Sequence, residues 1–244
     1  MDWPLQLRPL PRRVPPVRDE TITSYLTRLA EANRLEVAAL RHLLSGSRRK
    51  DAEVPFAALA AVTGMPPIFL AWAMPQICTP QERAHVNVAN RPRPRQFREE
   101  RIACRPCTGA AAGGRSVTVW ALHEHVVCRR HRRWLSEEHD QPDLSAQPEI
   151  LDAARRHRWL IRRHGRDTVM RAYRDARHIC AGWRLEGYDH EHDPGFIRRM
   201  HIFHGPSWAD AEHDSYQTDE AATYPQVVAL TRLLASPYWR ERIL

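Results

Sequence analysis

Apolar residues recur at three- and four-residue intervals along most of this chain, a spacing that predicts helices. In "DETITSYLTRLAEANRL", Ile22, Tyr25, Leu26 and Leu29 share one face, and Asp19 or Thr21 is placed to cap the helix. In "LEVAALRHLLSG", Val37, Leu40 and Leu44 lie on one side and Gly46 falls just past the end. Residues 56–75, "FAALAAVTGMPPIFLAWAMP", have the outline of a helix-turn-helix. Ala60 is small at the crossing, Gly64 takes the turn and Leu70 fills the core, while Pro66 and Pro67 occupy a first turn whose N–H groups lack helical partners. The pattern resumes over 148–164 with Ile150, Ala154, Leu160 and Ile161, and breaks at Gly165. It continues over 167–185 with Val169, Tyr173, Ala176, Cys180 and Trp183, so the two segments predict a helical hairpin. A last helix is expected over "YPQVVALTRLLASPYWRERIL", with Val227, Leu230, Leu234, Tyr238 and Trp239.

The breaks in this pattern divide the chain. Five prolines between residues 4 and 16 exclude helix and interior strand, so residues 1–18 read as an extended arm. A helical domain follows over 19–89, then a basic Arg/Pro linker over 90–102, "NRPRPRQFREER" at its heart. Residues 103–140 read as a metal module and 141–244 as a C-terminal helical domain. The expected fold is therefore mainly α, with a helix-turn-helix-like N-terminal domain and a central zinc finger built on a small β-hairpin.

The metal expectation rests on "ACRPCTGAAAGGRSVTVWALHEHVVCRRHRRWL", residues 103–135. Cys104 and Cys107 form one C-x2-C pair, and Cys128 and His131 form a C-x2-H pair. Each pair directs two donors into one small sphere, and together they complete the closed tetrahedral shell of a structural zinc ion. The intervening residues suit a β-hairpin, with Gly113 and Gly114 at the turn and "SVTVWALHEHVV" alternating as strand. Four protein ligands leave no open position for a reactive water, which argues against catalysis. His123 and His125 lie nearby as outer contacts or a substitute ligand, but their spacing is not that of a metalloprotease. Cys78 and Cys180 sit in apolar surroundings and read as packed thiols.

Charge adds a candidate partner. The chain carries 37 basic and 29 acidic residues for a net charge of +8, and Lys50 is its single lysine. Such a balance suits a polyanion, whose counterions are released on binding; an arginine bias of this kind also reflects a GC-rich coding sequence. Arg129, Arg130, Arg132 and Arg133 frame the second ligand pair, and Arg155, Arg158 and Arg162 share one helix face. Both are candidates for nucleic-acid contact, the alternative being a solvated face. The second helix of the helix-turn-helix, "IFLAWAM", offers no arginine, lysine, asparagine or glutamine to read base edges. Ile68, Phe69 and Trp72 are candidates there for docking protein or building core. No run of eighteen apolar residues or secretory leader is present, so no membrane partner and a cytoplasmic location are expected.

Three stretches resemble the TniQ family of target-selection adaptors in Tn7-like and Tn5053-like transposition. "ETITSYLTRLAEAN" is similar to the family's N-terminal helix motif, "LAAVTGMPPIFL" to its helix-turn-helix segment, and "CRPCTG…VTVWALHEHVVCRRHRRWL" to its zinc segment, with Trp120 and Leu135 in register. The resemblance implies that Cys104, Cys107, Cys128 and His131 hold zinc. It implies a non-enzymatic adaptor that connects a target site, through DNA or a target-recognition complex, to an AAA+ regulator ATPase and thence to the transposase complex. Many members carry a further C-x-x-C after the histidine; here "LSEEHDQPDLSAQPE" has no cysteine, so a second knuckle is not expected. Two other readings compete. One is a stand-alone zinc-containing DNA-binding regulator. The other is a metal-dependent nuclease using Asp189, His190, His192 and Asp193.

Overall fold

A computed structural model describes residues 7–47, 49, 53–85, 98–135, 141–185, 193–205 and 216–243. They fall into two compact units, Met1–Ala121 and Leu122–Leu244.

In the first unit, α1 (Ile22–Ala32) starts at Thr21, whose hydroxyl accepts from the Ser24 N–H at 3.2 Å. Asp19, the other candidate cap, instead takes a left-handed backbone, φ 62°. Helices α2 (Val37–Ser45) and α3 (Phe56–Thr63) end on left-handed Gly46 and Gly64, and the chain bends by 114° into α4 (Pro67–Ala73). The helix-turn-helix outline is thus present. Tyr25, Leu26, Leu29, Leu40, Leu44, Leu59, Val62 and Leu70 form its core, with Leu7, Leu10 and Val14 of the proline-rich segment packed against it. A 3-10 turn (Pro75–Ile77) and a short α5 (Pro80–His85) follow, neither expected from the pattern.

The metal module differs from the expected hairpin. Residues 98–102, read as the end of a linker, are strand β1 (Arg98–Ile102), paired with β2 (Thr118–Leu122). Between them, Arg105–Ala112 is helix α6, and Gly113 (φ 60°) ends that helix rather than turning a hairpin. Three consecutive alanines and Pro106 in the first turn favour helix before the glycines, where a hairpin turn had been expected. The hairpin itself lies later, as β3 (Val127–Cys128) against β4 (Arg133–Trp134), antiparallel with Val127 opposite Trp134.

The second unit carries long helices α7 (Pro148–His164) and α8 (Arg166–Leu185), as the spacing predicts, joined at Gly165. Helix α9 (Pro194–His204) was not expected. The last expected helix is two: α10 (Tyr216–Ala235) begins eight residues early and carries Pro225 inside it, and α11 (Pro237–Ile243) follows a break at Ser236. Ile150, Leu160, Val169, Tyr173, Cys180, Tyr224 and Val228 share one core with Trp134 and Leu144. No single helix among the described residues is long and apolar enough to cross a membrane.

Candidate metal centre and basic face

Cys104 precedes α6 at its N-cap, and Cys107 lies in the first turn. The Cys107 and Thr108 N–H groups both donate to the Cys104 carbonyl, at 2.9 and 3.1 Å, which curls the pair together. A helix N-terminus carries partial positive charge and favours thiolate over thiol. Cys128 ends β3. The Arg132 N–H donates to its carbonyl at 2.8 Å, and Arg132 adopts φ 50° so that the chain can return into β4. That turn swings His131 back, and its N–H donates to Cys128 Sγ at 3.5 Å.

The donor atoms of Cys104, Cys107, Cys128 and His131 all lie within 4.8 Å of one another. Cys128 Sγ is 3.7 Å from His131 Nδ1. A tetrahedron with zinc–sulfur bonds of about 2.3 Å and zinc–nitrogen bonds of about 2.0–2.1 Å has a mixed edge of roughly 3.6 Å. Three sulfurs and one imidazole nitrogen at this separation fit a metal ion. His123 and His125 do not join them: β2 stops at Leu122, His125 is exposed, and His123 is buried with its ring 5.0 Å from His157 and 5.8 Å from Tyr173. Beside it, burial would raise the Glu124 carboxyl, but Arg166, donating to Oε1 at 2.7 and 3.1 Å, holds it below the ordinary range.

The structure sorts the candidate arginines. Arg129, Arg130 and Arg132 are exposed on the β3–β4 turn, whereas Arg133 is half-buried and donates to the Gln141 carbonyl at 2.7 Å, a structural role. Arg155 and Arg162 are exposed on α7 and Arg158 is half-buried between them. Burial first, then the like charges of Arg129, Arg162 and Arg155, depress the Arg158 guanidinium below its ordinary range. The Arg129 charge thus acts on Arg158, which links the turn's first arginine to the basic face of α7. On α4, Ile68, Phe69 and Trp72 are 51%, 58% and 48% exposed, so they are surface residues and not core.

A family model for TniQ matches residues 11–135, just over half of the chain. The chain belongs to the TniQ family. TniQ proteins are transposition-associated adaptors that belong to the transposition machinery. No curated protein and no solved structure matches the chain significantly.

The TniQ-like stretch at 20–33 has a physical reason that helical spacing alone does not reveal. Glu20 is fully buried, and its carboxylate accepts from Arg28 at 2.6 and 2.8 Å, from the Ser24 hydroxyl at 2.9 Å and from the Val17 N–H at 2.9 Å. Arg28 also donates to the carbonyls of Pro15 and Ala111, and the Tyr25 hydroxyl donates to the Val14 carbonyl at 2.9 Å. Burial, then the Glu20 charge, push the Tyr25 phenol well above its ordinary range, so it remains a donor. The motif fastens the proline-rich segment to α1. Of the His/Asp tract, Asp189, His190 and His192 lie outside the described residues. Asp193 caps α9, accepting from the Gly195 N–H at 2.8 Å. The residue most plainly missed by the sequence reading is Trp159, 49% exposed on the basic face of α7.

Proposed function

We propose that the protein is a zinc-containing TniQ adaptor. It joins target DNA, directly or through a target-recognition complex, to an AAA+ regulator ATPase that recruits the transposase. Cys104, Cys107, Cys128 and His131 would hold one structural zinc, whose closed shell supplies folding energy rather than chemistry. The protein-docking part of this reading is carried by α4. It occupies the place of a recognition helix, yet presents Ile68, Phe69 and Trp72 to solvent and no side chain that reads bases. The DNA-facing part is supported by Arg129, Arg155, Arg158 and Arg162, with Arg130 and Arg132 on the same turn as Arg129.

The test is capture of an AAA+ transposition regulator ATPase from the same genome, with and without duplex DNA. The wild-type chain retains the ATPase, and the Ile68→Ala, Phe69→Ala, Trp72→Ala triple variant loses at least tenfold in retention, the scale of a truncated aromatic hot spot. Equal retention by both proteins would remove α4 as the docking face. Failure of the wild-type chain to bind the ATPase at all would favour a stand-alone DNA-binding regulator.

A further inference from the structure

Helix α7 buries Ile150, Ala153, Ala154, His157 and Leu160, which leaves Trp159 on the opposite side. On a helix the surface neighbours of a residue lie three and four positions away. For Trp159 these are Arg155, Arg156, Arg162 and Arg163, all four exposed. A large indole, 49% exposed, thus stands at the middle of a ring of cations. Arg155 is paired with Asp152, and Arg162 and Arg163 complement the negative end of the helix dipole. Neither fact accounts for a tryptophan left in water among them. Surface apolar residues are ordinarily scattered and small in consequence. An aromatic face ringed by guanidinium groups is instead the arrangement that engages a nucleic-acid strand: arginines follow the phosphates while a base stacks on the ring.

We propose that Trp159 receives a DNA base that is unpaired or unstacked, while Arg155, Arg156, Arg162 and Arg163 hold phosphates of the same strand. This rests on the reading of the basic face as a DNA contact and adds to it the structure of the DNA preferred. A fully paired duplex hides its base faces, so an apolar ring gains a partner only where a step is opened or kinked. The site therefore favours single-stranded or locally opened DNA over a perfect duplex of the same sequence.

Fluorescence anisotropy with the full chain tests it on three labelled DNAs: a single strand, a duplex with a two-base unpaired bulge, and the fully paired duplex. Trp159→Ala weakens binding to the first two roughly tenfold, the scale of one base–aromatic stack, with little loss on the paired duplex. Trp159→Phe restores most of the affinity, and neither variant alters the salt dependence. The Arg155→Ala, Arg162→Ala double variant lowers the slope of log affinity against log salt by one to two units on all three. Unchanged binding by Trp159→Ala, or an equal loss on all three DNAs, overturns the stacking proposal while the arginine result stands. An unchanged salt slope in the arginine variant removes the DNA reading of this face, and the stacking proposal with it.

Discussion

Two helices of this protein leave a tryptophan in water to the same extent, Trp72 on α4 at 48% and Trp159 on α7 at 49%. Their surroundings differ in degree of charge: one cation, Arg18, lies over the Trp72 ring, 5.3 Å from its centre. Helix α4, "PIFLAWA", has no charged residue, and Trp72 shares its exposed surface with Ile68 and Phe69. Helix α7 surrounds Trp159 with arginine. Desolvating an apolar patch against another protein is favourable at about 25 cal/mol per Å², whereas a cationic ring is costly to bury unless a polyanion meets it. On the proposed docking of both, the charge of the neighbours separates a protein partner from a polyanion.

The contrast is broken most severely at the metal. With the proposed zinc in place, chelation, or Cys128→Ser, removes a contribution on the order of 10 kcal/mol. It releases one zinc per chain by mass spectrometry, collapses the turn that carries Arg129 and weakens DNA binding. A metal-free chain that keeps its full near-ultraviolet circular dichroism would eliminate the metal centre. Next in size is Arg28→Ala, which leaves the Glu20 carboxylate buried without its partner and costs about 3–5 kcal/mol in urea denaturation. It threatens the unit that presents Trp72. A cost below about 1 kcal/mol would mean that Glu20 finds water instead.

Acid tests the unit that presents Trp159. The Glu124 carboxyl is held below its ordinary range in the folded state, so its contribution is present above the unfolded carboxylate range and is lost as pH falls through the folded value. Glu124→Gln lowers stability at neutral pH and flattens this acid limb in thermal melts taken from pH 6 to pH 3. An identical acid limb in the variant would assign the titration to another group.

Much of this was legible in the sequence because periodicity reports burial. Ile150, Leu160, Val169 and Tyr173 lie in the core of the second unit as their spacing implies, and the two ligand pairs converge as theirs does. What escaped has identifiable causes. Gly113 and Gly114 signal a turn, but the alanines before them make a helix whose end the same glycines serve equally well. Helix α9 carries Phe196, Met200 and Phe203 at helical spacing, yet Asp193, Pro194 and Gly195 at its start read as loop until the aspartate is seen capping it. Pro225 suggests a helix start and instead lies within α10. The action of Arg129 on Arg158 was invisible because proximity between a hairpin turn and a helix is tertiary information. Trp159 falls on the side of α7 that periodicity discards.

The proline-rich segment has a consequence for anyone trimming this protein. Val14 and Pro15 supply the carbonyls that receive Tyr25 and Arg28, Val17 lends an amide to Glu20, and Pro9 rests against the turn at Gly64. A shortened version starting at Glu20 would keep every residue of the family's leading motif, yet lose the carbonyl that receives the Tyr25 hydroxyl, one of the acceptors of Arg28 and the amide that donates to Glu20. What looks like a dispensable leader is half of a clasp whose other half is the helix.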